Sequence, residues 1–165
     1  GLVLCDETTI GVDPVNCIEV IKKVVTEAEN DFPYKENLDE TFKLVSQDAT
    51  STIAYSVVNA DLILNAKGIL ANTMSGYTAR KISYFRPRSI IIGLSPKLST
   101  LRSLTLNYGV LPILVKKFTD TDSIIGESIK EYKKVIPSQE NDIVILTGGF
   151  PLDNKSTNFM KIEKL

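Results

Sequence analysis

Apolar positions in this chain keep two rhythms, a helical one and short strand-length runs, and the two alternate along most of its length. Cys17, Ile18, Ile21, Val24, Val25 and Ala28 recur at helical spacing, with Asp13 as N-cap and Pro14 at the first helical position. The stretch NDFPYKENLDETF, residues 30 to 42, breaks that rhythm with a proline and mixed charges, and reads as a connector holding a domain boundary. A second helix is predicted over 48–66, carrying Ile53, Ala54, Val57, Val58, Leu62 and Ile63. GILANT, 68–73, has strand length, and the helix expected over 76–85 is stopped by Pro87. SIIIGLS, 89–95, reads as a buried strand. Ser95-Pro96 then opens a helix with Leu98, Leu101 and Leu104 inward, closed by Gly109.

The C-terminal third continues the pattern. VLPILV, 110–115, is a strand whose Pro112 suits an edge position. A helix over 121–136 carries Ile125, Ile129, Tyr132 and Ile136 on one stripe, and DIVILTG, 142–148, is a fourth strand. TNFMKIE, 157–163, alternates as a half-exposed last strand, with an apolar face expected at Phe159 and Ile162. Such alternation predicts a mostly parallel sheet covered on both faces. The loop GGFPLDNKS is too short for a helical crossover, so the fifth strand should run antiparallel.

Composition narrows the function classes. With 165 residues, 43% hydrophobic and 24% charged, the chain suits one domain with a short extra element. A net charge of −1 argues against nucleic acid as a main partner. Neither a membrane helix nor a signal peptide is expected. Cys5 and Cys17 read as reduced thiols of a cytoplasmic protein. Without histidine, the commonest general base and every triad built on it are missing. No zinc cluster or catalytic pair of carboxylates is read in the sequence, so no catalytic and no metal-binding residue is expected.

Two loops remain as candidate chemistry, each at the carboxyl end of a predicted strand, where open sheets bind ligands. In NTMSGYTAR, 72–80, Gly76 permits a tight turn and Thr73, Ser75 and Thr78 place three hydroxyls at a helix start. Free amides and the helix dipole favour an anion there. A plain strand–turn–helix cap explains the same residues, and spacing alone leaves both readings open. After the fourth strand, Gly148-Gly149 precedes Asn154, Lys155 and Ser156, which suits either a phosphate-closing loop or a surface hairpin.

The run Thr73-Met74-Ser75-Gly76-Tyr77-Thr78-Ala79-Arg80, with Phe85-Arg86-Pro87, resembles the C-terminal domain of pyruvate kinases. The likeness continues in order through GVLPILV, Asn141 to Ile145, Gly149-Phe150-Pro151 and Ser156 to Ile162. At the start, Asp6 to Gly11, Asp13-Pro14-Val15 and Ala28-Glu29 resemble the last helix of that family's catalytic barrel. Each motif is weak alone; their collinearity carries the resemblance. It implies a barrel remnant at 1–30, a connector at 31–46 and a regulatory domain at 47–165. The implied fold is a three-layer α/β/α sandwich, with a five-stranded mixed sheet whose last strand is antiparallel.

The resemblance further implies an allosteric sugar phosphate gripped by Thr73, Met74, Ser75, Gly76 and Thr78, with Leu152, Asp153, Asn154 and Lys155 closing over it. It implies a dimer of this domain within a tetrameric enzyme. The family's Mg²⁺ and K⁺ belong to the barrel, so no cofactor and no phosphate transfer are expected of this chain alone. Asp6 departs from the family's usual Gly. Beyond the third strand only Lys116 and Lys117 stand where a second phosphate would need Arg or Trp, which speaks against a bisphosphate and leaves a monophosphate, or no effector, open. Arg80 and Arg86 are expected to make structural or interface ion pairs. The alternatives are an oligomerisation module with a vestigial loop, or a stand-alone phosphate-binding homologue.

Overall fold

Asp13 accepts a hydrogen bond from the Asn16 amide (3.0 Å), and Pro14 needs no partner at the first helical position; together they start helix α1, Pro14–Asn30. This is the computed structural model of the chain, which describes residues 2–46, 48–116, 121–150 and 156–165. The chain divides into two compact units, 1–33 and 34–165. In the first, Cys17, Ile21 and Val25 are half-buried, whereas Ile18 and Val24 face solvent and no residue of α1 is fully buried. Both cysteines are unbridged, and the Cys17 thiol lies 3.6 Å from the Glu7 carbonyl.

The second unit opens with a correction. The expected connector at 31–46 is largely a helix, α2 (Tyr34–Leu44), that joins the following domain. Pro33 ends just before it, and Leu38 and Phe42, one turn apart, point inward. Leu38 is fully buried, and the Phe42 ring packs 4.5 Å from that of Tyr55 on α3 (Ala49–Leu64). Tyr55 also donates to Asp39 (2.8 Å), and this bond, with Lys35 beside it, holds the Asp39 carboxyl below its ordinary range. The charged residues that suggested a connector are the helix's outer face.

Five strands follow: β1 Gly68–Asn72, β2 Ile91–Ser95, β3 Val110–Leu114, β4 Ile143–Gly148 and β5 Phe159–Lys164. They form one sheet in the order β3-β2-β1-β4-β5. The first four are parallel and β5 pairs antiparallel with β4, Ile145 opposite Ile162. Pro112 does lie on an edge strand, as its missing N–H requires. Helices α4 (Tyr77–Tyr84), α5 (Leu98–Leu104) and α6 (Thr121–Val135) make the connections.

Strand alternation divides the core into two layers. Ile69, Ala71, Ile91 and Ile145 pack with Leu38 of α2, Ala54, Val57 and Val58 of α3, Ala79 and Ile82 of α4 and Leu104 of α5. Leu70, Ile92, Leu94, Val144 and Leu146 point the other way, against Tyr132, Ile125 and Ile129 of α6. The Tyr132 ring lies where a Cβ at Gly68 would come within 2.6 Å, and its hydroxyl donates to the Lys67 carbonyl.

Local readings fail at three further points. Helix α5 begins at Leu98 rather than at Ser95, because Ser95 completes β2 and its hydroxyl accepts the Lys97 amide; Leu98 is consequently exposed. Phe159 and Ile162, three apart on a strand, lie on opposite faces, and the exposed apolar pair is Met160 with Ile162. On α3, Ile63 is exposed and Asp61 takes the inward place in the stripe of Ala54, Val57 and Val58.

Asp61 is 1% exposed; one carboxylate oxygen accepts the Ser89 amide (3.3 Å) and the other has no partner. It also sits in the last turn of α3, where the helix dipole disfavours an anion. Burial pushes its carboxyl above the ordinary range, opposed by the Ser89 hydrogen bonds and the nearby Arg88 charge. A raised pKa means that Asp61 favours the folded state while protonated. That contribution is full below the unfolded-chain value and is lost as pH rises through the folded one. Asp61→Asn should therefore stabilise the domain near pH 7 by about 1–3 kcal/mol, or about 2–4 °C per kcal/mol in Tm. The advantage should vanish toward pH 4. Thermal unfolding of both proteins across this range checks it; an equal offset at every pH contradicts it.

Candidate functional site

Because β3 and β2 lie to one side of β1 and β4 and β5 to the other, the order of connection reverses between β1 and β4. The carboxyl ends of strands at such a reversal are the usual ligand position in an open sheet. Gly148 lets the two strand ends approach closely: a Cβ there would lie 2.9 Å from the Asn72 carbonyl oxygen. Beneath, Asn72 and Ser128 of α6 share reciprocal hydrogen bonds of 3.1 and 3.2 Å, both residues buried.

The turn from β1 into α4 is held by its own residues. The Thr73 amide donates to the Leu94 carbonyl (2.9 Å), extending the ladder past β1. The buried Thr73 hydroxyl accepts the Gly76 amide (2.9 Å), an ST-type turn that delivers the chain into the helix. Gly76 has φ +83°, a conformation that disfavours any side chain, and an added Cβ would come within 2.6 Å of Arg80 Nη1. Arg80 donates to the Ser75 carbonyl (3.1 Å), and Thr100 of α5 donates to that of Met74 (2.9 Å). Two carbonyls that would repel an anion are thereby occupied.

The groups left over at this helix start are donors. The first helical bond runs from the Arg80 amide to the Gly76 carbonyl (3.0 Å), so the amides of Tyr77, Thr78 and Ala79 have no carbonyl one turn earlier. Ser75 and Tyr77 are exposed, whereas Thr78 and Ala79 are buried, Ala79 completely. The Ser75 hydroxyl makes no hydrogen bond among the described residues. Exposed donors at the positive end of a helix favour an anion.

The expected site residues divide by this geometry. Thr73, Met74, Ser75, Gly76 and Thr78 stand together at the turn, but Thr73 and Thr78 are buried and their hydroxyls are engaged internally. Thr78 Oγ1 lies 2.8 Å from Thr157 Oγ1, and the Thr157 amide donates to Thr50 Oγ1 (3.1 Å) on α3. The expected closing residues Leu152, Asp153, Asn154 and Lys155 lie outside the described residues. The ends of their loop are joined by Asn158, whose side chain accepts the Phe150 amide (2.8 Å) and donates to the Phe150 carbonyl. Sequence reasoning missed Thr50, Thr100 and Thr157. Arg80 instead clamps a carbonyl, and Arg86, at φ +50°, lies over the Tyr108 ring at 5.6 Å.

Among the described residues, no three Cys, Asp or Glu side chains gather to hold a metal ion. No described helix is long and apolar enough to cross a membrane.

The family profile described as "Pyruvate kinase, alpha/beta domain" matches residues 51–163. Pyruvate kinases of Staphylococcus saprophyticus and Staphylococcus aureus are each 33% identical over 164 residues, 99% of this chain. The chain spans only 28% of their length. A crystal structure of a Cryptosporidium parvum pyruvate kinase superposes with a TM-score of 0.84 at 27% identity, covering 98% of this chain and 32% of that one. A structure of the Cryptosporidium parvum enzyme in complex with ADP gives a TM-score of 0.83, also at 27% identity, covering 98% of this chain and 33% of that one. The chain belongs to the pyruvate kinase family and carries its C-terminal α/β domain.

Proposed function

We propose that the domain is a regulatory and assembly part of a cytoplasmic pyruvate kinase, binding the phosphate of a sugar-phosphate effector at the start of α4. The observation that carries this is the set of donors at the start of α4: the Tyr77 and Thr78 amides, with Tyr77 exposed, beside the exposed Ser75 and its hydroxyl. Arg80 and Thr100 support it by occupying the carbonyls of Ser75 and Met74. One phosphate fits this set. Met74 brings no charge to the turn, so affinity should be modest. Leu152 to Lys155 are proposed to close over the sugar, with Lys155 supplying charge.

Removing a hydroxyl bonded to a charged phosphate costs on the order of 1.5–3 kcal/mol, a roughly tenfold or greater loss of affinity. Calorimetry with glucose 6-phosphate, ribose 5-phosphate, AMP and fructose 1,6-bisphosphate should show binding below about 1 mM by at least one. Ser75→Ala should weaken it at least tenfold with unchanged Tm, since this exposed side chain has no role in the core. Absence of binding by all four, or no effect of the substitution, leaves the turn as a helix cap.

The second reading, an oligomerisation module with a vestigial loop, draws on the inward engagement of Thr73 and Thr78. Self-association belongs to both readings. Strand β5 is the last of the sheet order, with Met160 38% and Ile162 46% exposed, an edge of the kind natural proteins cover. A two-fold axis would pair it with its symmetry mate. Sedimentation at about 100 μM should show a dimer, as expected for an interface of standard size. Monomer alone at that concentration contradicts it.

A further inference from the structure

Three buried threonines from distant parts of the chain meet behind the turn: Thr50 on α3, Thr78 on α4, and Thr157 two residues before β5. Thr157 is where the chain returning from the 149–158 loop re-enters the sheet. Its hydroxyl is paired with the Thr78 hydroxyl (2.8 Å), its amide donates to the Thr50 hydroxyl oxygen (3.1 Å), and the next amide, of Asn158, donates to the Gly148 carbonyl (2.9 Å). Together with the Asn158–Phe150 bonds, these contacts hold the approach to β5, whose ladder with β4 begins at Phe159.

We infer that the Thr78–Thr157–Thr50 relay is a coupling element, through which the state of the α4 N-terminus sets the anchoring of the strand that forms the sheet's free edge. Its physical basis is the shared hydroxyl pair. A threonine hydroxyl holds one proton and accepts through its lone pairs, and in the Thr78–Thr157 pair either oxygen can be the donor. An anion bound at the Thr78 amide would hold Thr78 in place, and with it the partner of the Thr157 hydroxyl. Thr157 is then held more firmly, and with it the entry to β5. Without the Thr78 hydroxyl, the buried Thr157 hydroxyl loses its partner and the anchor weakens from the other side. Coupling of this kind is reciprocal. Only the ligand half of the inference rests on the phosphate reading; the relay itself does not.

Amide hydrogen exchange of the whole chain tests both halves. Thr78→Val keeps the shape and removes the hydroxyl; it should speed exchange of the Thr157 and Asn158 amides about tenfold. Amides of Ile91–Ser95, in the sheet interior, should be unchanged, and Thr78→Ser should restore the slow rates. Acceleration shared by all core amides in step with lost Tm, or confined to α4, overturns the relay. Should Thr78→Val not fold, Thr157→Val provides the reverse experiment, with faster exchange expected at Thr78 to Arg80 and unchanged rates there overturning it. Saturating glucose 6-phosphate should slow the Thr157 amide in the wild type and not in Thr78→Val; equal slowing in both overturns the relay. An unresponsive wild type beside an intact substitution effect keeps the relay and removes the phosphate reading instead.

Discussion

Strand β1 is paired on both edges, with β2 and β4, and covered on both faces, so that all five of its residues are buried. Each of its backbone polar groups therefore has its partner in the sheet, and the strand cannot slip without turning Leu70 and Ile69 to the wrong layers. That fixed position decides where its carboxyl end emerges. Since β4 is inserted beside β1 and β2 lies on its other side, Asn72 at the end of β1 stands opposite Gly148 at the end of β4. The pairing of β1 with β4 brings these two strand ends together without any further device.

Rigidity passes from this strand into the turn through short polar contacts. Asn72 is locked to Ser128, Thr73 continues the ladder to Leu94 and caps Gly76, and Arg80 and Thr100 hold the next two carbonyls. The result is a backbone already shaped before any ligand arrives, with its donors at the helix start. Preorganisation of this sort lowers the ordering cost of binding. It also accounts for why a turn carrying only one free hydroxyl is still a credible anion site: the amides contribute most of the donors.

Much of the architecture was legible in the sequence because helical and strand periods alternate cleanly and the turn residues stand where each element stops. Pro112 marked an edge, and the short loop before β5 marked an antiparallel strand. What failed did so for nameable reasons. The charged outer face of α2 concealed Leu38 and Phe42. Ser95-Pro96 imitates a helix start although Ser95 belongs to the strand. Asp61 stands where the α3 stripe calls for an apolar residue, and a pattern search passes over a carboxylate there. At the turn, Thr73, Ser75, Gly76 and Thr78 could be picked out by their spacing, but the direction of each hydroxyl could not. Thr157, which holds the Thr78 hydroxyl inward, lies 79 positions from it, and Thr50, which accepts the Thr157 amide, lies 107 positions from Thr157; only the folded chain creates these pairings.

The central claim is that the amides at the start of α4, with the Ser75 hydroxyl, are the phosphate donors of this domain. Backbone amide chemical shifts, followed by NMR during titration with glucose 6-phosphate and, separately, with glucose, test this most directly. The account predicts that the phosphorylated sugar moves the amide resonances of Ser75, Tyr77, Thr78 and Ala79 most, downfield as hydrogen bonds to an anion form, while glucose leaves them in place. Shifts centred elsewhere in the chain, or the same response to both sugars, would contradict it.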